Sequence, residues 1–413
     1  MSDRGERAAP RLRISYLVQQ FPVPTETFAV SDIVSLVAQG HDVTVYTMKF
    51  PRRREQALRK MCRVPETLAV HQPTLAGAAK WPAIMWRRRS QAAWLSRQAL
   101  SHWRTAPRSA IQAMLCIPRI IEIADCIGRD GNDVAHAFWS RHVGLVLPLL
   151  KMCEAPTLRT AFVGAYDLVA DDFILDLTAD AAEVLFSHAE VNRPFLQTKV
   201  ASDGLVNIIH RGIPLPALTE HYRDPFRIIT ASALVASKNV ETLIRSFAKA
   251  RSGESRLKLE IFGDGPDRSR LGKIVRELDC SGSVVFRGHL PRDELFLHMQ
   301  SAATFVLLSK KPSERLPNVI KEALWAGCAV ISSRSEGIEE LIPDSSIGFV
   351  VDADDRSAVS TILAQLLQES EQDAACRRER ARAFVKNHYS SDASMRSYVA
   401  AWLDAKTALS SRL

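Results

Sequence analysis

The sequence predicts an α/β protein made of two doubly wound units, each with a parallel β-sheet. Apolar runs of strand length alternate with helical stretches along most of the chain, the pattern that builds parallel sheets joined by crossover helices. That alternation breaks at residues 211–225, RGIPLPALTEHYRDP, where a glycine and three prolines halt regular structure and mark a linker. At 413 residues the chain is long enough to bury two separate cores.

The elements follow in order. Residues 13–18 (RISYLV) read as a first strand, 27–38 as a helix stopped by Gly40, and 42–48 as a second strand. Further strands are expected at 133–138, 158–163, 183–186 and 206–209, with helices between most of them. A first domain therefore covers 11–215. A second runs from 224 to 390, opening on the apolar strand at Phe226.

Composition narrows the class. Apolar residues make up 46% of the chain and charged residues 24%, the balance of an ordinary folded protein. No run reaches the roughly 18 apolar residues that a spanning helix needs. The first thirteen residues, MSDRGERAAPRLR, are charged and lack the apolar stretch of a secretory signal. Seven cysteines are scattered without a Cys-x-x-Cys pair, which argues against a disulfide framework and a zinc cluster and fits a reducing cytoplasm. The expected location is cytoplasmic, and no internal repeat is present.

Charge is unevenly spread. Between Arg52 and Arg129 there are fifteen Lys/Arg against four Asp/Glu, a surplus of eleven in a chain whose net charge is +8. The same stretch holds Trp81, Trp86, Trp94 and Trp103, with Arg87–Arg89 directly after Trp86. Tryptophan and arginine together suit an anionic membrane surface, with rings at the headgroup level and cations on phosphates. That makes the inner face of the cytoplasmic membrane a candidate location. Solvated helices whose tryptophans face a core remain the alternative. Nucleic acid is not an expected partner, because no recognised binding module accompanies the basic residues.

The densest functional signal is ERLPNVIKE, residues 314–322, followed by ALWAGCAVISS to residue 333. Pro317 suits the first helical turn, where its missing N–H costs nothing, and Gly327 suits the helix end. The apolar run 329–331 reads as a buried parallel strand. Glu314 then lies on a loop before the helix and Glu322 within it. A helix start at the carboxyl edge of a parallel sheet collects anionic ligands. Carboxylates placed there accept several hydrogen bonds from the hydroxyls of a sugar or ribose. On spacing alone, two solvated glutamates on an amphipathic helix are the better explanation of the pair, and only the surrounding sequence argues otherwise.

The surrounding motifs resemble family-4 glycosyltransferases, enzymes of the GT-B fold. LEIFGDGPD (259–267) is similar to the family's strand and Gly-x-Gly-Pro turn, and VVFRG (284–288) to the next strand and the turn beside the nucleotide base. SEGIEE (335–340) stands where the family has Gly-Gly-Ile-Pro-Glu. The resemblance is strong over about 226–352, where the motifs recur in order. The first domain is more loosely similar. FPVPTETF (21–28) resembles a signature of the exopolysaccharide branch, of colanic acid and amylovoran type, and HAFWS (136–140) resembles a His-Ala-His-Phe turn.

The resemblance implies two Rossmann-like domains facing across a cleft, with a helix at 391–409 crossing back onto the first domain. It implies transfer of a sugar from a nucleotide diphosphate sugar to a lipid-linked saccharide acceptor, with retention of anomeric configuration and without a metal or other cofactor. Glu322 would bind the ribose, Lys238 the diphosphate and Glu314 the donor sugar. Backbone around Leu316, Pro317 and Asn318 would meet sugar hydroxyls or phosphate, with Gly263 and Gly288 beside the nucleotide. Glu26, Thr27, Gly164 and Asp167 would belong to the acceptor side. A residue such as Thr27 can equally be simple helix-capping chemistry.

Three departures from the family pattern stand out. The phosphate-binding Gly-Arg-Leu-x-x-x-Lys-Gly stretch reads SALVASKN (232–239), so Lys238 is kept and Ala233 replaces the arginine. The family's His-Gly-x-Asp reads GAYD (164–167), with Gly164 in place of the histidine. Arg315 follows the first glutamate where many relatives have glycine. Either Arg315 or Arg211 supplies the missing charge in an active enzyme, or the protein is a degenerate homologue that binds a nucleotide sugar or a partner without catalysis.

Overall fold

The computed structural model describes residues 10–23, 27–51, 55–164, 167–168, 172–202, 204–219, 222–311 and 314–411. The chain divides into two compact units, Met1–Arg211 with Ser394–Leu413, and Gly212–Ala393. Among the described residues no helix is long and apolar enough to cross a membrane.

The first unit is built on seven strands: β1 (Arg13–Val18), β2 (Asp42–Thr47), β3 (Ala69–His71), β4 (Val134–Phe138), β5 (Leu158–Phe162), β6 (Val184–Ser187) and β7 (Leu205–Ile208). They lie in the order β3-β2-β1-β4-β5-β6-β7, all parallel. Side chains alternate between faces with the period of a strand. Ile14, Tyr16 and Val18 pack with the helices Thr27–Ala38 and Ser391–Ser410, while Leu17 joins the helix Pro107–Asp130 on the other face. Because both faces are covered, the strands read as apolar runs. Trp402, fully buried, anchors the helix Ser391–Ser410 to this sheet through Tyr398, His136 and Phe186.

The second unit has six strands: β8 (Asp224–Ala231), β9 (Lys258–Phe262), β10 (Val284–Gly288), β11 (Ala302–Leu307), β12 (Ala329–Ser333) and β13 (Phe349–Val351). Their order is β10-β9-β8-β11-β12-β13, again all parallel. Leu243, Ile244 and Phe247 of the helix Val240–Arg251 close one face together with Val359 and Leu363 of the helix Arg356–Gln368. The strand order reverses between β1 and β4 and between β8 and β11. Such switch points, at the carboxyl ends of the strands, are where doubly wound sheets bind ligands.

One local expectation is corrected. The helix after the first glutamate runs Asn318–Ala326, and Pro317 sits just outside it as the N-cap, at φ −61 and ψ 127. Proline's ring fixes φ, but the extended ψ places the residue before the first turn, where its carbonyl accepts from Ile320 N at 3.1 Å. The stop at Gly327 is as expected, in the left-handed conformation at φ 95 and ψ 22.

Candidate functional site

In the second unit Lys238 and Glu314 meet at the β8/β11 switch point. After β8 the chain makes a loop and a short turn, Ala236–Lys238, before Asn239 takes a left-handed conformation and opens the helix Val240–Arg251. Backbone bonds fix that loop: Ser232 N to Phe262 O at 3.1 Å, Leu234 N to Asp264 O at 2.9 Å, and Lys310 N to Ser237 O at 2.7 Å. Lys238 Nζ consequently reaches Glu314 on the loop after β11 and donates to its Oε1. Glu314 Oε2 is buried and has no hydrogen-bond partner among the described residues. An unsatisfied carboxylate oxygen costs roughly 1–3 kcal/mol or more, so the site is incomplete as a purely structural device.

Two glycines permit this approach of loops. Gly263 has φ 116, and a Cβ there would lie 1.9 Å from the Ser232 carbonyl oxygen. Its N–H donates to Gly288 O at 2.7 Å, and Gly288 itself has φ 72. At Gly263 conformation and space both exclude a side chain.

Leu316, buried, and Pro317 lead into the helix that starts at exposed Asn318. Glu322, on that helix, is 9% exposed and holds Arg292 through its Oε1, at 2.8 Å from Nε and 2.7 Å from Nη2. Burial pushes the Glu322 carboxyl up from its ordinary range, and the Arg292 guanidinium opposes the shift. Arg315 is turned to Glu336, 2.8 Å from its Oε2. Ala233 is exposed on the loop after β8. Lys238 and Glu314 are thus brought into contact, whereas Glu322 has a different partner.

In the first unit Asp167 Oδ2 accepts from Gly164 N at 2.9 Å, and Asp167 N donates back to Gly164 O at 3.0 Å. Burial pushes the Asp167 carboxyl up to about 6, against the N–H bonds from Gly164 and Ser140. Space explains the glycine: a Cβ at 164 would fall 2.3 Å from Cζ3 of Trp139, whose ring lies where a larger side chain would go. Trp139 has φ 70, a costly left-handed conformation for a bulky residue. His136 is buried beside Thr160 Oγ1 at 2.9 Å, and burial drives its imidazole down to about 3, so it is a neutral core residue.

Arg211 belongs to the first unit. It bonds Asp32 Oδ2 at 2.8 Å and stacks over the rings of Phe138 and Phe162, 4.5 and 5.0 Å from their centroids. Glu26 lies outside the described residues. Thr27 opens the first helix, and its side chain is likewise outside them. Among the described residues no group of His, Cys, Asp and Glu could hold a metal ion.

Sequence reasoning missed Arg292 and Trp139. Arg292 carried one signal, a cation opening the helix after β10. Trp139 carried none that was separable from its motif, since its relation to Gly164 exists only across neighbouring strands.

Residues 216–384 match the family described as glycosyl transferases group 1. Over 384 residues the chain is 23% identical to the amylovoran biosynthesis glycosyltransferase AmsK of Erwinia amylovora, covering 86% of this chain and 91% of that protein. It is 21% identical to the colanic acid biosynthesis glycosyltransferase WcaL of Salmonella typhimurium, itself a tentative assignment, covering 86% and 90%. Identity reaches 31% with a GDP-mannose-dependent mannosyltransferase of Mycolicibacterium smegmatis, where the chain spans 40% of that protein's length. Among solved structures, HepE of Anabaena, in complex with UDP, superposes with a TM-score of 0.65 at 14% identity, over 95% of this chain and 100% of that one. TarM superposes with 0.67 at 11% identity, over 97% and 99%. Residues 216–384 thus match glycosyl transferases group 1, and the chain has the GT-B fold and is similar to bacterial glycosyltransferases of the exopolysaccharide-biosynthesis type.

Proposed function

We propose that the protein transfers a sugar from a nucleotide diphosphate sugar to a lipid-linked saccharide in bacterial surface or exopolysaccharide synthesis, with retention of anomeric configuration. The carrying observation is the Lys238–Glu314 contact at the β8/β11 switch point, with Glu314 Oε2 left without a partner among the described residues. A donor sugar hydroxyl would satisfy that oxygen. Lys238 would then divide its charge between Glu314 and the diphosphate, opposing the negative charge that builds on the leaving phosphate. Ribose hydroxyls would donate to Glu322, whose carboxylate is held by Arg292. Amides around Leu316, Pro317 and Asn318 would meet the phosphate or sugar, and Gly263 and Gly288 would admit the nucleotide. Gly164 and Asp167, with Glu26 and Thr27, would serve the acceptor. Ala233 removes one cation from the usual set. Of the two substitutes, Arg315 belongs to the donor-binding unit and would exchange Glu336 for the phosphate. Arg211 would have to leave Asp32.

The test is calorimetry of the full chain with UDP-, GDP- and ADP-sugars, with released nucleotide diphosphate followed in the same samples. Binding with slow release, lost in Glu322→Ala and Lys238→Ala, is expected. Binding by none of the donors overturns the reading. Binding with no release, even beside lipid-linked saccharide, would favour a non-catalytic nucleotide-sugar-binding homologue.

Membrane contact has its own support. Trp86 is 75% exposed and Trp103 47%, whereas Trp94 packs on the core and Trp81 bonds Glu122. Only two of the four tryptophans in the basic stretch are therefore offered outward, one of them beside Arg87–Arg89. A flotation assay with anionic vesicles tests this contact.

A further inference from the structure

We propose that Trp139, together with Ser140 and Asp167, forms a platform on which a pyranose ring of the acceptor saccharide stacks. The inference rests on the transferase reading and names a residue that the reading does not use. Trp139 directly follows β4, beside the β1/β4 switch point, the kind of position where doubly wound sheets bind ligands. Its φ of 70 is the only positive value at an aromatic residue among those described. A tryptophan that only filled a core would not need such a backbone, and strain of this kind collects at ligand sites.

The neighbourhood has been emptied to receive this ring. Gly164 has no side chain, and the Trp139 ring takes the space directly over it. Phe138 and Phe162 meet the indole at right angles, with centroids 5.7 and 5.8 Å away, and fix its plane. Trp139 nevertheless remains only half-buried.

Polar groups stand next to it. Ser140 Oγ is buried, at 4% residue exposure, and has no hydrogen-bond partner among the described residues. The Asp167 carboxylate accepts from Gly164 N at 2.9 Å, with Ser140 N as a second donor. An aromatic ring packed over Gly164, with the Ser140 hydroxyl on the next residue and the Asp167 carboxylate bonded to Gly164 N, suits a pyranose ring, which offers polarised C–H bonds on its face and hydroxyls around its edge. The negative face of the indole attracts those C–H groups.

The experiment uses the full chain with methyl β-D-glucopyranoside, methyl β-D-galactopyranoside and methyl α-D-mannopyranoside as probes, read by saturation-transfer NMR. At least one glycoside is expected to receive saturation at its ring C–H protons, and Trp139→Ala is expected to weaken it about tenfold, about 1.4 kcal/mol. Should Trp139→Ala fail to fold, 5-fluorotryptophan labelling decides. The Trp139 resonance, identified by its absence in Trp139→Phe, is expected to move on addition of the glycoside. Undiminished binding in Trp139→Ala, no response from any of the three glycosides, or an unmoved Trp139 resonance overturns the proposal. Donor-sugar calorimetry on the same proteins separates the two readings. Glycoside binding that depends on Trp139 without any donor binding would reject the transferase and keep the platform. Donor turnover with an idle Trp139 would do the reverse.

Discussion

Lys238 Nζ donates to one oxygen of Glu314, and the other oxygen of that carboxylate is buried without a partner among the described residues. The two residues are 76 positions apart and meet only because β8 and β11 are hydrogen-bonded neighbours. Glu314→Gln should keep the shape and lose the charge. Turnover is expected to fall about a hundredfold, the scale of one lost electrostatic contact to a transition state, with a smaller change in donor affinity. Steady-state release of nucleotide diphosphate measures it, and a rate within twofold of wild type would count against the assignment.

Gly263→Ala should damage both stability and donor binding. The added Cβ would meet the Ser232 carbonyl at 1.9 Å, so the loop carrying Lys238 must move. A loss of at least about 2 kcal/mol is expected, read as a lower urea midpoint. Gly253→Ala is the control, since its Cβ would find nothing nearer than 3.6 Å.

Asp167 predicts a pH dependence. Burial raises its folded-state pKa to about 6, above the ordinary 3.8, so between those values the folded protein binds more protons than the unfolded chain. Its contribution to stability is full below about pH 4 and is lost as pH rises through 6. The shift of about two units corresponds to about 3 kcal/mol. Asp167→Asn should remove this downward slope, as seen by urea midpoints measured from pH 4 to 7. An unchanged slope would refute the assignment to Asp167.

Arg292→Ala should leave Glu322 buried without its cation. The carboxyl pKa, already raised by burial, then rises further, and donor affinity should begin to fall with acidification at a higher pH than in the wild type. Calorimetric titration with the donor identified above, between pH 5 and 8, distinguishes the two profiles.

Alanine replacement of Arg87, Arg88 and Arg89 together should reduce flotation with anionic vesicles by tenfold or more, since each cation near such a surface contributes about 1 kcal/mol. Retention of flotation in this variant would place the contact elsewhere.

Sequence pattern revealed the sheets because buried parallel strands are continuous apolar runs. β1 was found at its observed limits, and β12 was found short by two residues at its polar end, Ser332–Ser333. β3 was missed, being three residues long with its two ends exposed. The helix ending at Gly327 was legible from a proline and a glycine that bracket it. What pattern could not reach were relations between distant positions. Arg211 read as a linker residue because its partner Asp32 lies 179 positions earlier. The exchange of bulk between Trp139 and Gly164 is invisible in a string, where each looks like an isolated oddity.

The helix Ser391–Ser410 finishes the core of a unit whose other residues were all made before position 212. During synthesis the second unit therefore leaves the ribosome whole while the first still lacks Met395, Tyr398 and Trp402 over its sheet. The earlier-made half therefore waits for residues 394–413, which are made after the second unit. A nascent chain halted near residue 390 would display the aromatic face formed by Tyr16, His136 and Phe186 to whatever chaperone is at hand.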